Sequence, residues 1–112
     1  MIKSAGILIF ARSTGRCLLL QRPDGHWGTP GGHLEKGETA MEAALAELQE
    51  ETGFSGHIVL DGGQQTTERY VLFMGEVSQE FQPKLNEEHL DYRWVPTTRL
   101  PQPLHYGLQG LL

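Results

Sequence analysis

The chain has a single cysteine, Cys17, among its 112 residues. One thiol cannot form an internal disulfide, and a cysteine-built zinc site is implausible. Cys17 lies in the apolar run "CLLL", where a small residue buried in a strand is expected. That usage suits a reducing compartment. No apolar run approaches the roughly 18 residues of a membrane span. The apolar part of the N-terminal "MIKSAGILIF" is too short for a secretory h-region and has no small-residue cleavage site. A soluble, cytoplasmic protein with no membrane partner is the expectation. Basic residues are also scarce: 9 Lys and Arg face 14 Asp and Glu, for a net charge of −5. No basic tail or stripe is visible, so DNA- or RNA-backbone binding is not expected. A small phosphorylated ligand needs only a local cation and stays open. Internal repeats and low-complexity tracts are missing too. A composition 38% hydrophobic over this length suits one domain, 1–112.

What is present divides into short segments. "AGILIFA" and "RCLLLQR", separated by "RSTG", predict a β-hairpin. "PDGHWGTPGGH" is dense in Gly and Pro and predicts a loop. Thr39 and Glu42 match the S/T-x-x-E pattern of a capping box, and Gly53 suits a left-handed C-cap. A helix is therefore predicted over Ala40–Thr52. Beyond it, "GHIVL" predicts a strand, "DGGQQ" a turn, "RYVLFMGEV" a long strand, "QEFQPKLNEEH" a polar loop and "DYRWV" a further strand. "PLHYGLQGLL" predicts a short C-terminal helix, weakened by its glycines. Strands, helix, strands, helix in that order give an α/β protein, a mixed sheet with helices packed on it.

The predicted helix is unusual in its charge. With about 100° per residue and Glu47 set at 0°, Glu50 falls at about 300° and Glu51 at about 40°. Met41, Leu45, Leu48 and Thr52 fall between about 100° and 160°, so an apolar side lies beside an acidic one. Like charges four residues apart destabilise a helix by a few tenths of a kcal/mol. Negative charge in the last turn opposes the macrodipole, and no Lys or Arg inside the helix offsets it. A solvated face is the bland account. Three penalties kept together point instead to a cation, and carboxylate oxygens suit Mg²⁺ or Mn²⁺. Ahead of the helix, Gly31 and Gly32 let the backbone approach a ligand closely. The loop is neither a P-loop nor a dinucleotide fingerprint, since both lack their required spacing.

The stretch from Gly32 to Phe54 resembles the Nudix box, G-x5-E-x7-R-E-U-x-E-E-x-G-U, where U is bulky and apolar. Gly32, Glu38, Glu47, Leu48, Glu50, Glu51, Gly53 and Phe54 match it. Ala46 stands where the pattern has Arg. Six residues at about 7% frequency and two apolar positions coincide by chance roughly once in a hundred million starts. "LLLQR", "GHWGTPGG" and "EEHLDYRWV" also look like flanking parts of small MutT-like members. The resemblance implies a Nudix fold: a mixed β-sheet sandwiched between α-helices (α/β/α), with the box as loop-helix-loop. It implies hydrolysis of the pyrophosphate bond in nucleoside diphosphates linked to another group, first of all (d)NTP-like nucleotides giving NMP and pyrophosphate. Glu50 and Glu51 would be carboxylate ligands of Mg²⁺ (or Mn²⁺). Glu47 would be a ligand or would orient the attacking water. The Gly31 carbonyl would be a further ligand, and Glu38 would support the site from the loop.

Outside the box, Glu88 in "NEEHLDYRWV" is a candidate metal-binding or basic carboxylate, against its reading as an ordinary loop acid. Arg22, at the end of "LLLQR", is a candidate to hold a substrate phosphate through its bidentate fork, against its reading as a surface strand-end residue. Trp27 could stack on a base, with Gly32 close to the ligand; Tyr92 and Trp94 suit core packing better. His33 follows the glycines and could touch phosphate, though an incidental role suits it better, and His26, His57 and His105 show no zinc spacing.

Ala46 cannot donate a hydrogen bond to the carboxylates. Three outcomes stay open: another arginine (Arg12, Arg16, Arg69 or Arg93) reaches in, the site works with a looser glutamate, or only nucleotide binding remains. A dinucleoside polyphosphate hydrolase and a non-catalytic nucleotide-binding module are the alternative functions. Monomer and homodimer are equally compatible with the sequence.

Overall fold

The computed structural model describes residues 1–60 and 63–105. Among these residues seven strands form one mixed sheet: β1 Ser4–Ala11, β2 Cys17–Gln21, β3 Trp27–Gly28, β4 Gly31–His33, β5 Gln64–Thr66, β6 Tyr70–Val77 and β7 Asp91–Val95. One helix, α1 at Ala40–Thr52, is present among the described residues, with a 3₁₀ turn at Thr97–Arg99.

β1 is the centre of the sheet because it is apolar on both faces. Ala5, Ile7, Ile9 and Ala11 enter one core with Ala44, Leu48, Val71 and Val77. Leu8 enters the other with Cys17, Leu19, Trp27, Leu72 and Leu104. A strand covered on both sides reads as a continuous apolar run, as "AGILIFA" does. β6 pairs with it in parallel from Ser4↔Tyr70 to Ala11↔Val77. β2 and β4 pair with it antiparallel at its two ends. β7 lies along β2, from Cys17↔Val95 to Gln21↔Asp91. α1 covers the first core, and Leu104 closes on the second through a bridge to Trp27.

The hairpin, the helix with both caps, and strands β6 and β7 follow the expectations from sequence. Four segments differ. The Gly/Pro-rich loop holds two short strands. Gly31 and Gly32 pair with Gly6 and Ala5, and a Cβ on Gly31 would stand 2.7 Å from the Ala5 carbonyl oxygen. Only glycine lets the chain run that close, so the pairing hides in a sequence that looks like turn. "GHIVL" forms no strand; Val59 alone bridges to Glu76. The sheet edge goes instead to Gln64–Thr66, which pairs with β6. Gln64 and Gln65, expected in a turn, are therefore strand; Asp61 and Gly62 of that turn lie outside the described residues. Most of the expected C-terminal helix, residues 106–112, also lies outside them, and residues 103–105 are not helical.

Candidate active site

The site forms where the last turns of α1 meet β4. α1 begins with the expected capping box: Thr39 Oγ1 accepts from the Glu42 amide at 3.1 Å, and the Thr39 amide donates to Glu42 Oε1 at 2.8 Å. It ends at Gly53, whose φ of 73° and amide bond to the Gln49 carbonyl make a left-handed cap. Its buried residues are Ala43, Ala44, Leu48, Glu51 and Thr52. On the 100° wheel these centre near about 65°, about 65° round from the apolar arc of Met41, Leu45, Leu48 and Thr52. Ala43 and Ala44 are small enough to let that side approach β1. The turned helix carries Glu51 into the buried face, with 3% of its surface exposed.

A buried carboxyl needs a partner. Glu51 Oε1 accepts a 3.0 Å hydrogen bond from the Gly31 amide, so β4 holds it in place. Burial pushes the Glu51 carboxyl up to about 9; the Gly31 bond opposes this, and the nearby Glu47 charge adds to it. Glu47 is half-buried and also shifted up, first by burial and then by the charge of Glu50. The two carboxyls act on each other unequally: their contact lowers Glu47 and raises Glu51, so Glu51 holds a proton the more tightly in the metal-free protein. Gly32 sits against the pair: a Cβ there would stand 2.7 Å from Glu47 Oε1.

The loop between β6 and β7 brings in Glu88. One oxygen from each of Glu47, Glu51 and Glu88 lies within 4.8 Å of the other two. Opposite ligands of a Mg²⁺ ion stand about 4.2 Å apart, so small side-chain movements would fit the three to one ion. All three are hard oxygen donors, and no Lys, Arg or His among the described residues forms an ion pair with them. The donor set therefore fits the divalent ion that the sequence pattern implies.

The remaining expected residues fall at different distances from this group. Glu50 is exposed, outside the three, but near enough to raise Glu47 by its charge. Glu38 locks the turn ahead of α1, accepting from the Glu35 amide at 2.6 Å and donating its own amide to the Glu35 carbonyl at 3.0 Å. Arg22 is exposed at the end of β2, where its charge reaches Tyr70, His89 and His105. With Asp24, His26 and His105 it lines a cavity of about 310 Å³. Trp27 differs from the expected stacking platform. It is 3% exposed, packed in the second core, with the Arg93 guanidinium 4.8 Å from its ring centre. His33 is exposed. Trp94 packs edge-on to Phe81 in the first core and donates its indole N–H to the Phe81 carbonyl.

Among the described residues no arginine pairs with the site carboxylates in place of one at position 46. Arg12 pairs with Glu76, Arg16 with Glu80, and Arg93 covers Trp27. Glu51 is held by the Gly31 amide instead. Two groups that support the site have no signature in the sequence. Tyr70 Oη lies 3.3 Å from Thr29 Oγ1 and against Gly6, steadying the approach to Gly31. Asn86 bridges the Glu88 loop to α1.

The model of the NUDIX domain matches residues 2–110. The asymmetrical bis(5'-nucleosyl)-tetraphosphatase of Rattus norvegicus is 34% identical, over 84% of this chain and 78% of that protein. A nucleoside triphosphatase of Escherichia coli is 33% identical, over 75% of this chain and 69% of the relative. Among solved structures, an Ap4A hydrolase binary complex from C. elegans superposes with a TM-score of 0.73 at 26% identity, covering 84% of this chain and 80% of that one.

Proposed function

This chain belongs to the Nudix family, and from that premise we propose that it hydrolyses the polyphosphate chain of a nucleotide with the help of Mg²⁺ or Mn²⁺. As a Nudix hydrolase it is a pyrophosphohydrolase of nucleotide pyrophosphates. The metal-dependent reading is carried by the meeting of Glu47, Glu51 and Glu88 at the end of α1. A divalent ion held there would neutralise phosphate charge and lower the pKa of a bound water. The chain's own groups do the rest. Glu51 stays oriented by the Gly31 amide, and it is Glu51 that would have to release its proton for an ion to bind. Glu88, exposed beside them, is placed to accept a proton from the attacking water. Glu50 supplies a further carboxylate at the rim. Gly32 leaves room beside Glu47, and the Arg22 fork holds phosphate oxygens. Trp27 acts from beneath, carrying Arg93 on its ring.

The substrate is proposed from likeness. The rat relative is a tetraphosphatase of bis(5'-nucleosyl) compounds, and its similarity spans most of both chains. This favours a dinucleoside tetraphosphate, split into a mononucleotide and a nucleoside triphosphate. The triphosphatase relative favours nucleoside triphosphates, cleaved to NMP and pyrophosphate. A hydrolysis screen of both classes with Mg²⁺ and with Mn²⁺, beside Glu50→Gln and Glu51→Gln, separates them by product. Metal-dependent turnover that both variants lose is expected. A folded protein that cleaves neither class but melts higher with nucleotide would overturn the enzyme in favour of a binding module.

A further inference from the structure

Glu88 poses a problem that the three-carboxylate group does not answer by itself. Glu47 and Glu51 are fixed by a helix, but Glu88 stands exposed on a loop between two strands. An ion site built partly on a loop works only if something sets the loop. The backbone gives anchors at each end: the Lys84 amide donates to the Thr52 carbonyl at 2.8 Å, and the Leu90 amide donates to the Gln21 carbonyl at 2.8 Å. Between them one side chain makes hydrogen bonds among the described residues, that of Asn86.

We propose that Asn86 is a positioning residue, whose side chain ties the Glu88 loop to the C-terminal end of α1 and so sets where the Glu88 carboxylate stands. Asn86 Nδ2 donates to the Glu50 carbonyl at 3.3 Å. Asn86 Oδ1 accepts from the Glu88 amide at 3.1 Å. The amide group uses both of its functions at once, one on the helix and one on the loop. The partners on the helix are carbonyls that α1 cannot satisfy internally at its end. Gly53 takes that of Gln49, Asn86 that of Glu50 and Lys84 that of Thr52. The turn carrying Glu47, Glu50 and Glu51 is thereby clamped to the loop carrying Glu88. The competing account is a helix cap and nothing more, which would lower stability without touching the ion.

The inference rests on the reading of Glu47, Glu51 and Glu88 as the ion-binding group. Its test is a double-mutant cycle of Asn86→Ala with Glu88→Gln, reading Mn²⁺ binding by the paramagnetic signal of the free ion. Asn86→Ala is expected to weaken Mn²⁺ binding about tenfold, as loss of an orienting group does. In the Glu88→Gln background it should weaken binding no further. In the activity arm, kcat should fall in parallel while the nucleotide KM stays near that of the parent protein. Unchanged Mn²⁺ affinity in Asn86→Ala, or losses that multiply in the double variant, would overturn the proposal and leave a plain cap. If Asn86→Ala does not fold, Asn86→Ser goes through the same cycle. Its hydroxyl accepts from the Glu88 amide without reaching α1, and the same non-additivity is expected. A parent protein that binds no Mn²⁺ would overturn the ion site and this inference together. One that binds Mn²⁺ but cleaves no nucleotide would overturn only the hydrolytic reading, and the cycle would still decide Asn86.

Discussion

The Gly31 amide and the Glu51 carboxyl, twenty residues apart, meet in a 3.0 Å hydrogen bond that joins β4 to the last turn of α1. A backbone amide does there what an arginine at position 46 would share in: it fixes a buried carboxyl. The two donors are not equivalent. A guanidinium brings a full positive charge, whereas an amide brings only a dipole. Glu51 is therefore held in place without being neutralised, and in the absence of an ion it keeps its proton.

That proton gives a pH dependence with a definite sign. The folded-state pKa of Glu51 is raised to about 9, from 4.5. Between those values the folded metal-free chain holds a proton that the unfolded chain has released. Stability is fully present below the unfolded value and is lost as pH rises toward the folded one, by up to about 1.4 kcal/mol per pH unit for one proton. Metal-free protein should melt several degrees lower at about pH 8 than at about pH 6, and Glu51→Gln should lose most of that slope. Mg²⁺ should raise the melting temperature of the parent protein at the higher pH and not that of the variant. Equal slopes for both proteins would show that Glu51 is not the group responsible.

Gly32→Ala should damage function while sparing the fold. Its Cβ would meet Glu47 Oε1 at 2.7 Å and Cδ at 2.8 Å. These atoms are the far end of a flexible side chain, so Glu47 can move aside at little cost to the fold. What moves is a carboxylate of the ion-binding group. A tenfold or greater loss in metal affinity is expected, on the order seen when ligand orientation is lost. The melting temperature of the metal-free variant should stay within a few degrees. A variant that unfolds, or one with full activity, would contradict this account.

Thr39→Ala should do the reverse. Thr39 Oγ1 accepts from the Glu42 amide, one half of the capping box at the far end of α1, while the Glu42 carboxylate supplies the other half. Removing such a cap destabilises by about 1 kcal/mol. The glutamates sit about two to three turns further along, held by Gly31 and by the tertiary packing of Leu48. The expected result is a lower melting temperature with kcat at saturating metal within about twofold. Loss of kcat without loss of stability would mean that the helix start reports directly to the site.

How much of this could be read in advance follows the range of each interaction. Thr39, Glu42 and Gly53 act within one turn of sequence, and the helix bounds and both caps came out as their pattern predicts. The glutamates of α1 were legible as a cluster, but not which of them is buried. The face a helix turns inward depends on what it packs against, and Ala43 and Ala44 admit a side of α1 that hydropathy alone would leave outside. β4 was hidden because its glycines signal a turn, while their pairing with Ala5 and Gly6 depends on distant chain. The same holds for β5, where exposed Gln64 and Gln65 take the sheet edge that the more apolar "GHIVL" seemed to suit. Asn86 and Tyr70 left no trace in any local pattern, since each acts across more than thirty residues.

Ala46→Arg tests whether the site works with a looser glutamate. Ala46 lies on α1 one turn before Glu50 and one turn after Glu42, half-buried. An arginine there reaches Glu50 at i,i+4, a spacing at which opposite charges attract on a helix. Glu50 is the exposed member of the box carboxylates, and its side chain makes no hydrogen bond among the described residues. The added charge also lies beside a cluster whose mutual repulsion contributes to the raised pKa of Glu47. Both effects favour deprotonated, oriented carboxylates. The expected outcome is tighter Mg²⁺ binding and a several-fold rise in kcat, with a gain that is greatest at low pH, where carboxylate protons compete with the ion. The measurement is kcat against Mg²⁺ concentration at two pH values, for the parent protein and the variant. A rate that is unchanged or lower in a folded variant would mean that Glu50 is already oriented, or that its orientation does not limit the reaction.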